Sequence, residues 1–241
     1  MGTSASTTAF PRPAESAWQR WLHHPENLWI HRVLFHVHLW LGMIGALYIL
    51  AMSLSGSVIV FRNELEAGAD FTSRRDRFVE WLVNFHANFL SGVIGRRFNG
   101  VGAVAFTLLC FAGLIVWRPG LGHWRRSLTM NWKASFPLVN WDLHNVLGFW
   151  CFLFLATWGL SGIYFCFPEL PYPLYDSIGR SNSRALHYVN VALLSITDLH
   201  FGRFGLLAQS LWSLLGLVPA LLVLTGIFMF CHRCLFRRGA D

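Results

Sequence analysis

Four apolar runs punctuate this chain, at about Leu39–Phe61, Gly100–Trp117, Val146–Phe167 and Ser210–Cys231. Each approaches the roughly 20 residues that a membrane-spanning helix needs. Between them lie short polar stretches rich in Arg, Asp and Glu. No run alternates with the period of two expected of strands. The pattern predicts an all-α integral membrane protein folded as a four-helix transmembrane bundle. Residues 1–30 read as a polar leader and 119–141 as a connecting loop.

The apolar runs are not independent of one another. His38, Gly42 and Gly56 in the first run recur as His144, Gly148 and Gly162 in the third, each 106 residues on. The helices entering the second and fourth runs also correspond. His86 lies 32 residues before Arg118, His200 lies 33 before Arg233, and Gly113 is matched by Gly226. The chain therefore divides into two two-helix repeats, residues 31–118 and 142–241. Equivalent helices are separated by an even number of spans, so the repeats run parallel, related by an axis along the membrane normal.

Local signals refine the boundaries. The amphipathic stretch Trp81–Arg97 should be helical and feed the second span. A helix running unbroken from His86 to Arg118 would be roughly 48 Å long, more than a ~30 Å hydrocarbon core. A bend or break before Gly100 is expected, with His86 in the outer interface. Asp142 reads as the N-cap of the third span, and Asp198-Leu199-His200 as the opening of the last helical stretch.

Composition agrees with a membrane location: 54% of the residues are hydrophobic and 13% charged. The first 26 residues contain no apolar segment of the secretory type. Trp18, Trp21 and Trp29 are expected near the lipid interface. The net charge of +7 needs no nucleic-acid partner. With four spans, the segment before the first span, the loop from Arg118 to Asn145 and the tail from His232 share one side and carry ten Lys/Arg, against nine on the other. The short, basic loop and tail place both termini inside. Cys110, Cys151, Cys166 and Cys231 fall in or at the ends of apolar runs and are expected to be buried thiols. Cys231 and Cys234 form a lone CxxC, with no second pair to complete a zinc site.

The four duplicated histidines carry the chemistry. His38 and His144 stand at the inner ends of spans one and three. His86 and His200 stand at the outer ends of the helices leading into spans two and four. A histidine pair from facing helices is a common way for a bundle to hold haem, and neutral imidazole is a good ligand for iron. Gly42, Gly56, Gly148, Gly162, Gly113 and Gly226 lack side-chain bulk, which lets a flat macrocycle approach the backbone. Taken singly, each His also suits an interfacial role and each Gly suits helix packing; duplication is what favours a site. His31 and His36 compete with His38 as the inner ligand. His23, His24, His123, His187 and His232 read as solvated or interfacial.

The segments HLWLGMIGALYILAMSLSGSVIVFRNEL, FHANFLSGVIGRRFNGVGAVAFTLLCFAGLIVWRPG, DLHNVLGFWCFLFLATWGLSGIYF and DLHFGRFG with LLGLVPALLVLTGIFMFCHR resemble the PepSY-associated transmembrane family. The likeness spans most of residues 36–235 and takes in all four histidines. It implies two b-type haems, a bacterial inner membrane, and a di-haem reductase delivering electrons to a periplasmic ferric siderophore or other ferric chelate. The donor would be a cytoplasmic reductant or quinol. On this reading His38 and His144 bind the inner haem iron, and His86 and His200 the outer. Arg96, Arg97 and Arg203 would meet haem propionates or an anionic chelate, with Arg32 and Arg125 in the same position inside. Members of the family usually carry a PepSY domain between the first two spans, and the 62–80 loop has no room for one. Two other classes fit the sequence less closely. A His-based metal transporter would want carboxylates inside the spans, which hold none. The other is a non-catalytic accessory subunit.

Overall fold

The computed structural model describes residues 29–66, 74–117, 126–169 and 183–237, with positions 173, 176 and 177 between. The expectations placed on the leader (including Trp18 and Trp21) and on Arg125, His23, His24 and His123 lie outside the described residues.

The described chain is helical: α1 (Trp29–Ile44), α2 (Ala46–Ile59), α3 (Arg62–Glu66), α4 (Arg74–Asn88), α5 (Gly92–Trp117), α6 (Phe136–Trp150), α7 (Phe152–Cys166), α8 (Ser183–Phe201), α9 (Leu206–Gly216) and α10 (Val218–Arg237), with one 3-10 turn at Arg126–Leu128. Two segments, Gly92–Trp117 and Leu206–Leu235, are long and apolar enough to cross a membrane. Two bent pairs, α1 with α2 and α6 with α7, bring the number to four if each pair is one span. The fold is an all-α membrane bundle.

The bends were not apparent in the apolar runs, and they obey the repeat. The first pair bends by 64° at Gly45 and the second by 61° at Cys151, 106 residues later. Both hinge residues leave helical ψ for values near zero, with φ/ψ of −80/−1 and −92/0, while the helical ladder continues across them through Gly45 N–H to Leu41 and Cys151 N–H to Leu147. One hinge is Gly and the other Cys, so side-chain identity does not explain the bend. Packing does. α1 lies on α5 of its own repeat, but α2 crosses to α9 and α10 of the other. Likewise α6 lies on its own α10, while α7 crosses to α5. Each bent helix changes partners at its hinge, so the two repeats are interlocked.

The expected break before Gly100 falls at Phe89–Ser91. Phe89 and Leu90 take left-handed φ of 51° and 60°, followed by Gly92 at 57°. The second repeat turns at the matching places with Gly202 and Gly205, at 65° and 92°, where glycine adopts that backbone without a Cβ clash.

Two boundaries differ from expectation. α6 begins at Phe136, after the extended Ser135 and with Pro137 in its first turn. Asp142 is therefore inside the helix, where its carboxylate accepts the Asn131 N–H at 3.2 Å. The apolar residues Phe136, Leu138 and Val139 lengthen the helix N-terminally. Asp198 and His200 close α8 rather than open a helix, because Gly202 turns the chain.

A further break at Leu217 separates α9 from α10. Pro219 has no N–H to give the Leu215 carbonyl. Ser53 of α2 is inserted at this break: its hydroxyl donates to the Gly216 carbonyl at 2.5 Å and lies 3.2 Å from the Ala220 N–H.

Large apolar side chains face outward, among them Leu47, Ile44 and Leu207, as expected of a lipid-facing surface. The interior mixes apolar residues such as Ile49, Leu155 and Val218 with small polar ones: Ser53, Ser55, Ser57, Thr107, Ser161 and Thr225 are buried. Membrane helices pack this way, with small residues allowing close approach. Gly102 lies against the Tyr48 ring and Gly159 against Thr107. Cys151 and Cys166 are buried as expected, but Cys231 is exposed, because its position on α10 faces away from the bundle.

Candidate cofactor site

The structure brings His38 and His144 together. Their ring centroids are 6.2 Å apart and their planes nearly perpendicular, at 87°. Each ring is also held from behind. Nδ1 of His38 lies 3.1 Å from the Leu109 carbonyl on α5, and Nδ1 of His144 lies 2.9 Å from Oγ1 of Thr225 on α10. The repeat explains the approach. His38 sits in a notch at Gly113, where a Cβ would stand 2.7 Å from Cε1 of the ring. His144 faces the equivalent Gly226 at 3.5 Å. His36 is exposed and packs on Phe35. His31 reaches the Val116 carbonyl at 3.3 Å. Of the three histidines on α1, His38 is the one that faces His144.

The other two histidines of the repeat, His86 and His200, are held in the same way, each through Nδ1 by a serine. His86 ends α4 with Nδ1 2.8 Å from Oγ of Ser55. His200 ends α8 with Nδ1 2.6 Å from Oγ of Ser161. Asn99 fastens the end of α4 to α5, donating to the His86 carbonyl at 2.8 Å and the Ala87 carbonyl at 3.2 Å. Its counterpart Trp212 donates to the Leu199 carbonyl at 2.6 Å, and Trp158 to the His200 carbonyl at 3.3 Å. On α5, Asn99 marks the level of His86 and Gly113 that of His38. At 1.5 Å per residue, the pairs are about 21 Å apart along that helix.

The other expected site residues divide. Gly56 meets His86 directly, since a Cβ there would lie 3.1 Å from the ring. Gly42 and Gly148 face Leu109 and Leu222, where a Cβ would make ordinary contacts at 3.7 and 4.0 Å, and meet neither inner ring. Gly162 instead packs on Ala103. Arg97 pairs with Glu169 and lies over the Phe167 ring; its guanidinium hydrogen bond holds the Glu169 carboxyl below the usual carboxylate range. Arg203 lies over Phe201. Arg32 is exposed. Arg96 is different: its Nε is buried and has no hydrogen-bond partner among the described residues. The same is true of Oε1 of Gln209, the equivalent position 113 residues on. Sequence reading missed Gln209, Asn99, Thr225, Ser55 and Ser161. The serines carried a signal, because Leu54-Ser55-Gly56 and Leu160-Ser161-Gly162 keep the 106-residue shift.

These residues fit haem. Two imidazoles on opposite sides of one metal, each bonded at ~2.0–2.1 Å, place their ring centres roughly 6 Å apart. An edge-to-face ring contact spans a similar distance, so the donor count decides between them. All four histidines engage the protein through Nδ1, leaving Nε2 for a metal. No group of three or more His, Cys, Asp or Glu among the described residues could hold a bare ion. Each pair offers two donors where a protein-bound zinc takes three or four, and a macrocycle supplies the remainder. The unpartnered Nε of Arg96 suits a carboxylate. An apolar hollow of about 250 Å³ lined by Leu153, Trp158 and Trp212 lies outside both pairs.

The chain is thus a membrane bundle built from two interlocked repeats, each holding two histidines through Nδ1. The chain matches the model of the PepSY-associated TM region over residues 67–187, half its length, and belongs to that family. The match contains His86 and His144, one member of each pair, and the repeat relates them to His200 and His38. The chain is also 31% identical over 88 residues to an uncharacterised protein of Pseudomonas aeruginosa, an alignment covering 35% of this chain and 21% of that protein. The match thus spans about a fifth of that relative's length.

Proposed function

We propose that this protein is a di-haem b-type cytochrome of the bacterial inner membrane, which carries electrons across the bilayer and reduces a ferric chelate, such as a ferric siderophore, on the outer side. The observation that carries the reading is the His38–His144 pair, 6.2 Å apart and perpendicular, each ring held through Nδ1. His86 and His200, each held through Nδ1 by a serine at the other end of α5 and α7 from the inner pair, support transmembrane transfer.

Haem bound at each pair would supply a reversible one-electron iron couple. The chain's own residues do the rest. His38 with His144, and His86 with His200, offer neutral imidazole nitrogens. Leu109, Thr225, Ser55 and Ser161 orient the rings. Gly113, Gly226 and Gly56 let rings and backbone approach closely. Arg96 offers a cation to a propionate or an anionic chelate at the outer end. The apolar exterior keeps water from the interior between the pairs. A quinol or cytoplasmic reductant is the donor class, and the termini lie on the cytoplasmic side. The short 62–80 segment leaves the chelate to be met at the membrane surface.

A pyridine haemochromogen assay on the purified protein tests this directly. Two b-type haems per chain are expected, and a preparation expressed with ample haem that contains none sinks the reading. Reduction of an external ferric chelate by vesicles loaded with reductant then tests the reductase step.

A further inference from the structure

Each Ser–His contact of the outer pair has a defined proton direction. A hydroxyl has one hydrogen and two lone pairs. The Ser55 hydroxyl lies 2.6 Å from the Ala51 carbonyl one turn back, and that of Ser161 lies 2.5 Å from the Thr157 carbonyl. A carbonyl oxygen cannot donate, so at these distances each hydroxyl hydrogen belongs to its carbonyl bond. The hydroxyl must then accept from the ring. Nδ1 of His86 and of His200 therefore carries the hydrogen, and Nε2 carries the lone pair. Thr225 repeats the arrangement at His144, donating to the Leu221 carbonyl at 2.8 Å. His38 has only the Leu109 carbonyl.

We propose that Ser55 and Ser161 are paired positioning residues of the outer site, which hold His86 and His200 as the Nδ1–H tautomer with Nε2 as the metal-binding nitrogen. The proposal rests on the haem reading above for what Nε2 binds, and on the hydroxyl geometry alone for the tautomer. The two serines are equivalent in the repeat, each preceding a glycine on the helix that crosses to the other repeat. Their contacts to Nδ1 are 2.8 and 2.6 Å long. Donating the Nδ1 hydrogen makes an imidazole a more basic ligand, which favours ferric over ferrous iron. The two serines thereby lower the outer haem's potential relative to a site that lacks them.

The test compares Ser55→Ala and Ser161→Ala with Ser55→Thr and Ser161→Thr in the purified full-length protein. Each Ala variant is expected to lose its outer haem to a competing apoprotein about 10- to 100-fold more readily than wild type, with a positive shift of the outer midpoint potential. The inner haem should be retained, which reports that the variant is folded. The Thr variants, which keep a hydroxyl, should restore both. Ala variants that hold the outer haem at unchanged potential overturn the proposal. If wild type contains no haem, the functional reading fails separately. ¹⁵N-histidine NMR of that haem-free protein then decides the pairing: Nδ1–H at both His86 and His200 upholds it, and an Nε2–H form or a mixture overturns it.

Discussion

His38 and His144 face each other at 6.2 Å although 106 residues separate them in the chain. The two rings come from the lower halves of the two bent helices, and each is braced by the second long helix of its own repeat. One site thus depends on both repeats. Removing either ring should abolish the same haem. His38→Ala and His144→Ala are each expected to lose about half of the total haem, and the double variant no more than either single. That non-additivity is the mark of residues acting as one unit. His36→Ala, whose ring is exposed, should keep both haems. Haem-to-protein ratios of the four proteins check this, and additive losses would contradict a shared site.

The notches behind the two inner rings differ in depth. A Cβ at Gly113 would stand 2.7 Å from the His38 ring, whereas one at Gly226 would stand 3.5 Å from His144. Gly113→Ala must therefore displace the His38 ring from its Leu109 carbonyl, an overpacking strain of about 1–3 kcal/mol. Gly226→Ala makes an ordinary van der Waals contact. The expected outcome is inner-haem loss in Gly113→Ala and near-normal occupancy in Gly226→Ala, read from haem content and thermal unfolding of each variant. Equal effects would show that the notch does not position the ring.

Much of this arrangement is legible in the sequence because its residues repeat as themselves. His38 recurs as His144, Gly113 as Gly226, and the spacing that follows His86 recurs after His200. Features without a conserved identity are hidden. The hinge is Gly45 in one repeat and Cys151 in the other, inside uniformly apolar runs, and it exists because each helix changes partners there. Asp142 has the chemistry of a cap, but Pro137 and the apolar residues around it carry the helix past it. Ser55 and Ser161 do repeat, yet a serine in an apolar run reads equally as helix packing until its hydroxyl is seen against a ring.

Asn99 ties the His86 end of α4 to α5. Its amide spans from the Tyr48 hydroxyl, which donates to Oδ1 at 2.9 Å, to the carbonyls that end α4. Asn99→Ala frees the C-terminal end of α4, and His86 with it. Outer-haem occupancy should fall while the inner haem stays. Tyr48→Phe removes a single hydrogen bond, worth about 0.5–1.5 kcal/mol, and should lower thermal stability with both haems retained. A spectrally resolved titration of the two haems separates these outcomes. Loss of the inner haem alone in Asn99→Ala would place the tie at the wrong site.

Ser53 bridges the break between α9 and α10 from the opposite repeat. In a continuous helix the Ala220 N–H would bond the Gly216 carbonyl. Here the Ser53 hydroxyl donates to that carbonyl and lies within reach of that N–H. Ser53 is buried, and the hydrocarbon surroundings provide no water to replace the bridge. Ser53→Ala should therefore cost about 1–3 kcal/mol, the penalty for leaving a buried polar group without its partner. Ser53→Thr, which keeps the hydroxyl, should cost less. The break lies roughly 15 Å along the helix from Gly226, so His144 should hold its haem in both variants. Thermal unfolding in detergent, followed with haem absorbance, measures the two effects together. An Ala variant as stable as wild type would mean that α9 and α10 close their own break without help from α2.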